Sequence, residues 1–148
     1  MAESIDRYFE EFLGVEYHDP NAYSPLALAY IGDSVFDLLV KTYVVSKHNM
    51  QAHKYHVDVS RMVKASAQAD YIDVLIAHDA LTDEEEAVYK RGRNAKTHST
   101  AKNASVGQYR KATGFEALIG YLYLKRDYDR LFALAREIFD DMERENDG

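Results

Sequence analysis

Apolar residues recur every three to four positions along almost the whole chain, and no run alternates apolar with polar residues for the length of a strand. The pattern predicts an all-α fold. A short amphipathic segment carrying Ile5, Tyr8, Phe9 and Phe12 ends at Gly14. Ser24-Pro25 then supplies an N-cap and a first-turn proline for a long helix from Pro25 to about Val45. Leu26, Ala27, Tyr30, Ile31, Ser34, Val35, Leu38 and Leu39 give that helix an apolar face too broad for one lying on the surface, which makes it the central helix. Such a face fits burial on two sides, by the core and by a twin subunit, and equally fits one large monomer core.

From Gln51 to Ile76 the spacing of Val57, Val59, Met62, Val63, Ala67, Tyr71, Val74 and Leu75 predicts one or two helices, bent near Ser66. Thr82 with Glu85 forms a capping box, and Asp83, Glu84 and Glu86 suit the positive end of a helix dipole. That helix is expected to end at Arg91-Gly92. Residues 92–104 (GRNAKTHSTAKNA) lack large apolar anchors and read as an exposed loop. Ser105 with Gln108 resembles a second capping box, opening a helix to about Lys125. Asp127 caps a last helix with the stripe Leu131, Phe132, Leu134, Ile138 and Phe139. No repeat or linker interrupts the series, so residues 1–148 are expected to form a single domain.

Composition narrows the classes. The 148 residues, 47% of them apolar, can fill one ordinary core. No run approaches the ~18 apolar residues of a membrane span, and Met1 to Glu16 is acidic where a secretion signal would be basic and apolar. A soluble, cytoplasmic protein is expected. The lack of cysteine excludes disulfides, thiolate zinc sites and a cysteine nucleophile.

The net charge of −7 argues on its face against a nucleic-acid partner. It conceals a segregation of charge. No acid occurs between Glu86 and Glu116, while Lys90, Arg91, Arg93, Lys96, Lys102, Arg110 and Lys111 lie there; taking those seven positive charges from the net −7 leaves −14 on the rest. Segregation of this kind builds a local field for a polyanion, although a solvated basic loop would share the composition.

Two acids stand in apolar settings. Asp33 follows Gly32 in the middle of the central helix, and Glu116 lies among Phe115, Ala117, Leu118 and Ile119 with Gly114 and Gly120 nearby. An ionised carboxylate in such surroundings is costly unless it is paired or bound to a cation. Two of them on packed helices could share a hard cation such as magnesium. A cap or a salt bridge across the core would also account for them.

The strings around these acids decide between the readings. Residues 26–36 (LALAYIGDSVF) resemble the signature helix of the ribonuclease III family, and residues 113–124 (TGFEALIGYLYL) resemble its second acidic motif, in the same order and at similar separation. Residues 63–69 (VKASAQA) and 91–96 (RGRNAK) resemble the compact branch called Mini-ribonuclease III. The resemblance covers about residues 24–126. It implies a ribonuclease III-like all-α catalytic domain that works as a homodimer, each subunit cutting one strand of double-stranded RNA to leave 5′-phosphate and 3′-hydroxyl ends. Asp33 and Glu116 fall on the family's catalytic, metal-binding carboxylates, which implies magnesium as cofactor, with manganese as a substitute.

Larger members carry further acids where this chain has Ala29 and Thr113, so the number of metal ions stays open. A chain ending at Gly148 is expected to lack the separate duplex-binding domain of those members. Arg91, Arg93, Asn94, Lys96 and Lys102 are therefore the candidate RNA-binding residues, with Thr97, Ser99 and Thr100 as neutral hydrogen-bonding groups. Lys90 and Lys111 could instead solvate helix ends. The resemblance also points to maturation of a large-subunit (23S) ribosomal RNA precursor, with a ribosomal protein as a possible partner. Two rivals stand beside it. One is a catalytically inert RNA-binding protein of the same fold. The other is an HD-type phosphohydrolase built on His78-Asp79 with His53 and His56, weakened because His18-Asp19 shows how readily that dipeptide arises.

Overall fold

Seven α-helices and no strand form among residues 4–47, 49–96 and 105–147, the residues that the computed structural model describes. They are α1 (Ile5–Leu13), α2 (Pro25–Lys47), α3 (Ala52–Val63), α4 (Ala65–Ala77), α5 (Asp83–Asn94), α6 (Val106–Leu124) and α7 (Tyr128–Asp147), with a single 3-10 turn, Pro20–Ala22, ahead of α2. The all-α expectation holds.

Local chemistry sets most of the helix ends. The Ser24 hydroxyl accepts the Ala27 N–H at 3.1 Å, with Pro25 opening α2. Both expected capping boxes are reciprocal: Thr82 and Glu85 exchange bonds of 2.9 and 3.1 Å, and Ser105 and Gln108 bonds of 3.2 and 3.0 Å. The Asp127 carboxylate accepts the Arg130 N–H at 3.2 Å ahead of α7. Gly14 closes α1 at φ 66°, a left-handed conformation that glycine adopts without a Cβ penalty. The bend expected near Ser66 falls at Lys64, whose extended backbone (φ −63°, ψ 157°) separates α3 from α4.

At the centre α2 crosses α6 with their backbones touching. A Cβ built on Gly32 would lie 1.8 Å from the Glu116 carbonyl oxygen, and one on Gly120 would lie 1.9 Å from the Leu28 carbonyl oxygen. Only glycine fits at either point. The crossing also decides which face of α2 is inside: Leu28, Ala29, Gly32, Phe36, Val40 and Val44 are buried against Phe115, Leu118, Ile119 and Leu122 of α6 and their neighbours.

This corrects the face read from hydropathy. Tyr30 is 82% exposed and Leu38 66%, and Leu26 is also exposed. The apolar pattern ranks large side chains, whereas close approach of two helices requires the smallest, and α2 is rotated to place Gly32 and Ala29 at the contact. Phe132, expected in the buried stripe of α7, is likewise exposed.

A second correction concerns Gly92. It was expected to end a helix, but α5 continues to Asn94 and Gly92 is buried inside its last turns. A Cβ there would meet the Ala117 Cβ at 2.7 Å and the Gly114 Cα at 2.9 Å, so the missing side chain lets α5 lie against α6 instead of freeing a turn.

The outer helices are pinned by polar groups. Asp6 of α1 is buried and accepts a hydrogen bond from Tyr128, while Arg126 bonds Glu10 at 3.0 Å and covers the Tyr17 ring at 4.7 Å. The apolar side chains Ile5, Phe12 and Leu13 of α1 stay exposed.

Glu85 joins α5 to α7. It is 4% exposed, receives Arg130 Nε at 2.7 Å and Nη2 at 2.9 Å, and also accepts the Thr82 N–H. Burial pushes its pKa up, but hydrogen bonds from Arg130 and Thr82 outweigh that and hold it below the usual glutamate value. Because the folded pKa is depressed, the stabilisation is complete above the unfolded glutamate range and is lost as pH falls through the folded pKa. Glu85→Gln is expected to cost about 2 kcal/mol at pH 7, the scale of a buried charged hydrogen bond, and to lose less stability than the wild type between pH 7 and pH 3. Urea midpoints across that range measure both effects. Parallel pH profiles for the two proteins would contradict the assignment.

Candidate metal centre

The α2–α6 crossing brings the two singled-out acids together. Gly32 abuts the backbone carbonyl of Glu116, so Asp33, the next residue on α2, stands beside the Glu116 side chain and is hydrogen-bonded to it. Burial first, and then the Asp33 carboxyl, push the Glu116 pKa up to about 9. Two carboxylates in contact resist ionising together unless a positive charge joins them. Asp33 itself is exposed and Glu116 partly buried. The expectation that both sit inside the apolar core is thus corrected for Asp33: it lies at the edge of the buried face of α2, open to solvent.

A third side chain completes the cluster. Gln68 of α4 is 2% exposed, donates Nε2 to the Val63 carbonyl at 3.0 Å and hydrogen-bonds Glu116. Its Oε1 is buried without a hydrogen-bond partner. Sequence reasoning passed over this residue, although a polar side chain between Ala67 and Ala69 on a largely apolar helix was a usable signal. The two positions where further acids were looked for cannot contribute. Ala29 is buried, and Thr113 is buried with its hydroxyl donating to the Tyr109 carbonyl at 3.0 Å.

Two carboxylates and an amide oxygen form a hard donor set, and two acids held in contact favour a positive charge between them. The residues therefore fit a hard divalent cation completed by waters. Among the described residues no group of three or more His or acidic side chains is gathered as a metal site. The histidines of the HD-type rival form no such centre: His78 closes α4, 4.0 Å from Glu137, and Asp79 sits in a turn at φ 52°.

The basic residues are distributed differently from expectation. Arg91, Arg93 and Asn94 belong to the last turns of α5, not to a loop, and Lys96 follows on the exposed chain. Lys102, Thr97, Ser99 and Thr100 lie outside the described residues. Arg93 covers the Tyr89 ring at 5.5 Å and donates Nε to Asn94 at 3.2 Å, while Arg91 reaches Asn21 at 3.5 Å. Lys90 and Lys111 are engaged by acids, Glu86 at 3.5 Å and Asp73 at 2.9 Å. Gly92, between Arg91 and Arg93, packs against residues 114 and 117 of α6, the helix that carries Glu116.

Comparison with known proteins gives this arrangement a family. The model of the ribonuclease III domain matches residues 26–127. Mini-ribonuclease 3 of Enterococcus faecalis is 47% identical over 106 residues, covering 72% of this chain and 80% of that protein. Mini-ribonuclease 3 of Clostridium tetani is 46% identical over 123 residues, covering 81% and 80% respectively. The crystal structure of a Fusobacterium nucleatum protein superposes with a TM-score of 0.74 at 26% identity, covering 84% of this chain and 98% of that one. The touching carboxylates of α2 and α6 both lie within the matched segment, and the chain belongs to the ribonuclease III family of endoribonucleases, in its Mini-ribonuclease 3 branch.

Proposed function

We propose that this chain is a magnesium-dependent endoribonuclease for double-stranded RNA, its residues forming one catalytic domain in which Asp33 and Glu116 hold the metal and carry the reaction. The observation behind the reading is the contact between these two carboxylates across the glycine-lined crossing of α2 and α6. No helix among the described residues is long and apolar enough to cross a membrane. Cytoplasmic work on a 23S ribosomal RNA precursor, with a ribosomal protein as partner, is the biological setting that the family suggests.

The division of labour follows from burial. Glu116, anchored by Gln68 and backed by the core, is the fixed member; Asp33, on the solvent side, faces an arriving phosphate. Magnesium, when bound, supplies the positive charge that activates a water and stabilises the leaving 3′-oxygen, leaving 5′-phosphate and 3′-hydroxyl ends; manganese can replace it. With the acids' charge offset, the duplex is drawn by Arg91, Arg93 and Lys96, assisted by Asn94 and Lys102, through phosphate and 2′-hydroxyl contacts that read A-form shape. The homodimer is supported by the exposed apolar residues Leu26, Tyr30 and Leu38 along α2, which a second subunit would cover.

Incubation of the protein with long duplex RNA, with and without magnesium, tests the reading. Cleavage in magnesium and none in chelator is expected, with a single strand of the same sequence left whole. A duplex bound but intact in magnesium would favour the inert RNA-binding alternative.

A further inference from the structure

The buried amide of Gln68 has half of its hydrogen-bonding capacity used by the fold and half left over. Nε2 ties the end of α3 to α4 through the Val63 carbonyl at 3.0 Å, and the amide also meets the Glu116 carboxyl. Oε1 receives nothing, although the residue is 2% exposed. A buried carbonyl oxygen without a donor is unfavourable. Among the buried side chains of the described residues this oxygen is the one polar atom without a partner, and it belongs to a residue in contact with the acid pair. No donor reaches it among the described residues, so it is free to take a partner from outside the chain.

We propose that Gln68 is the third oxygen donor of the metal centre, its amide oxygen serving the divalent cation held by Asp33 and Glu116 while its amide nitrogen fixes the Glu116 carboxylate. The inference rests on the metal-binding reading of those two acids. It explains how a site lacking acids at positions 29 and 113 can still offer three protein oxygens to a hard cation. It also gives the Lys64 break a purpose. Separating α3 from α4 there leaves the Val63 carbonyl available to grip the Gln68 amide and orient it.

The test is manganese titration by calorimetry on the whole protein without RNA, comparing wild type, Gln68→Leu, Gln68→Glu and Asp33→Asn, with melting temperatures taken in chelator. Gln68→Leu is expected to weaken manganese binding by about tenfold or more, while its melting temperature in chelator falls only modestly, the lost unpaired acceptor partly offsetting the lost bond to the Val63 carbonyl. Gln68→Glu is expected to tighten manganese binding by at least about tenfold, since it supplies a charged oxygen at the same place. Wild-type affinity in both variants, with binding lost in Asp33→Asn, would overturn the role of Gln68 and leave the acid pair standing. No manganese binding by the wild type would overturn the acid pair itself, and the donor role with it. Should Gln68→Leu fail to fold, the direction of change in Gln68→Glu decides alone.

Discussion

Replacing Gly32 with alanine is expected to lower the stability of this protein by more than about 3 kcal/mol, which for a domain of this size moves the melting temperature down by roughly 6–12 °C. The added methyl would sit 1.8 Å from the Glu116 carbonyl oxygen, an atom of the α6 backbone that has no rotamer by which to retreat. The two helices would have to separate or slide, and the buried residues on either side, Leu28, Phe36, Phe115 and Ile119, would lose contact together. Gly107→Ala is the matching control. Its Cβ would meet nothing nearer than the Ser105 hydroxyl at 3.9 Å, so the helix-propensity gain of about 0.5–1 kcal/mol should appear there unopposed. Equal melting temperatures for Gly32→Ala and wild type would show that α2 and α6 do not cross at this point. A folded remnant of Gly32→Ala should also cleave poorly, because the same crossing sets the spacing of Asp33 and Glu116.

The second large effect is on chemistry alone. Asp33→Asn is expected to reduce magnesium-dependent cleavage of duplex RNA by at least about a thousandfold while leaving the fold and the duplex affinity intact. The separation of effects follows from placement: Asp33 is exposed, and the basic residues of α5 are untouched. An asparagine keeps the shape and can still hydrogen-bond Glu116. Removing the neighbouring carboxyl also lifts one of the causes that raise the Glu116 pKa, so the variant should melt at or slightly above the wild-type temperature in chelator. Circular dichroism, duplex binding in calcium and cleavage in magnesium measure the three properties separately. Persistent cleavage by the variant would remove Asp33 from the centre.

Several features of this architecture are written in short stretches of chain. Ser24-Pro25, Thr82 with Glu85, Ser105 with Gln108 and Asp127 all cap the helices they were expected to cap, since each cap is a contract among residues at most three apart. Asp33 and Glu116 could be picked out for a related reason: an acid in an apolar string is conspicuous wherever the string ends up. The strings around them carried the family resemblance.

Other features were hidden because they depend on pairs far apart in sequence. The buried face of α2 is fixed by Gly32 meeting the Glu116 backbone and Gly120 meeting that of Leu28, and no hydropathy pattern within residues 25–47 contains that information. Gly92 looked like a helix terminator because a glycine's missing side chain has two uses, and only the presence of Gly114 and Ala117 across the interface selects packing over turning. The exposure of Asp33 and the buried, half-satisfied amide of Gln68 follow from the same rotation of α2 and α4 about α6. The sequence by itself thus determined the helices, their caps and the two acids, which are local or nearly local properties. Only the tertiary structure decided which faces touch, and thereby joined Asp33, Gln68 and Glu116 from three separate helices, because close helix packing is chosen by the fit of backbones and small residues that no single segment specifies.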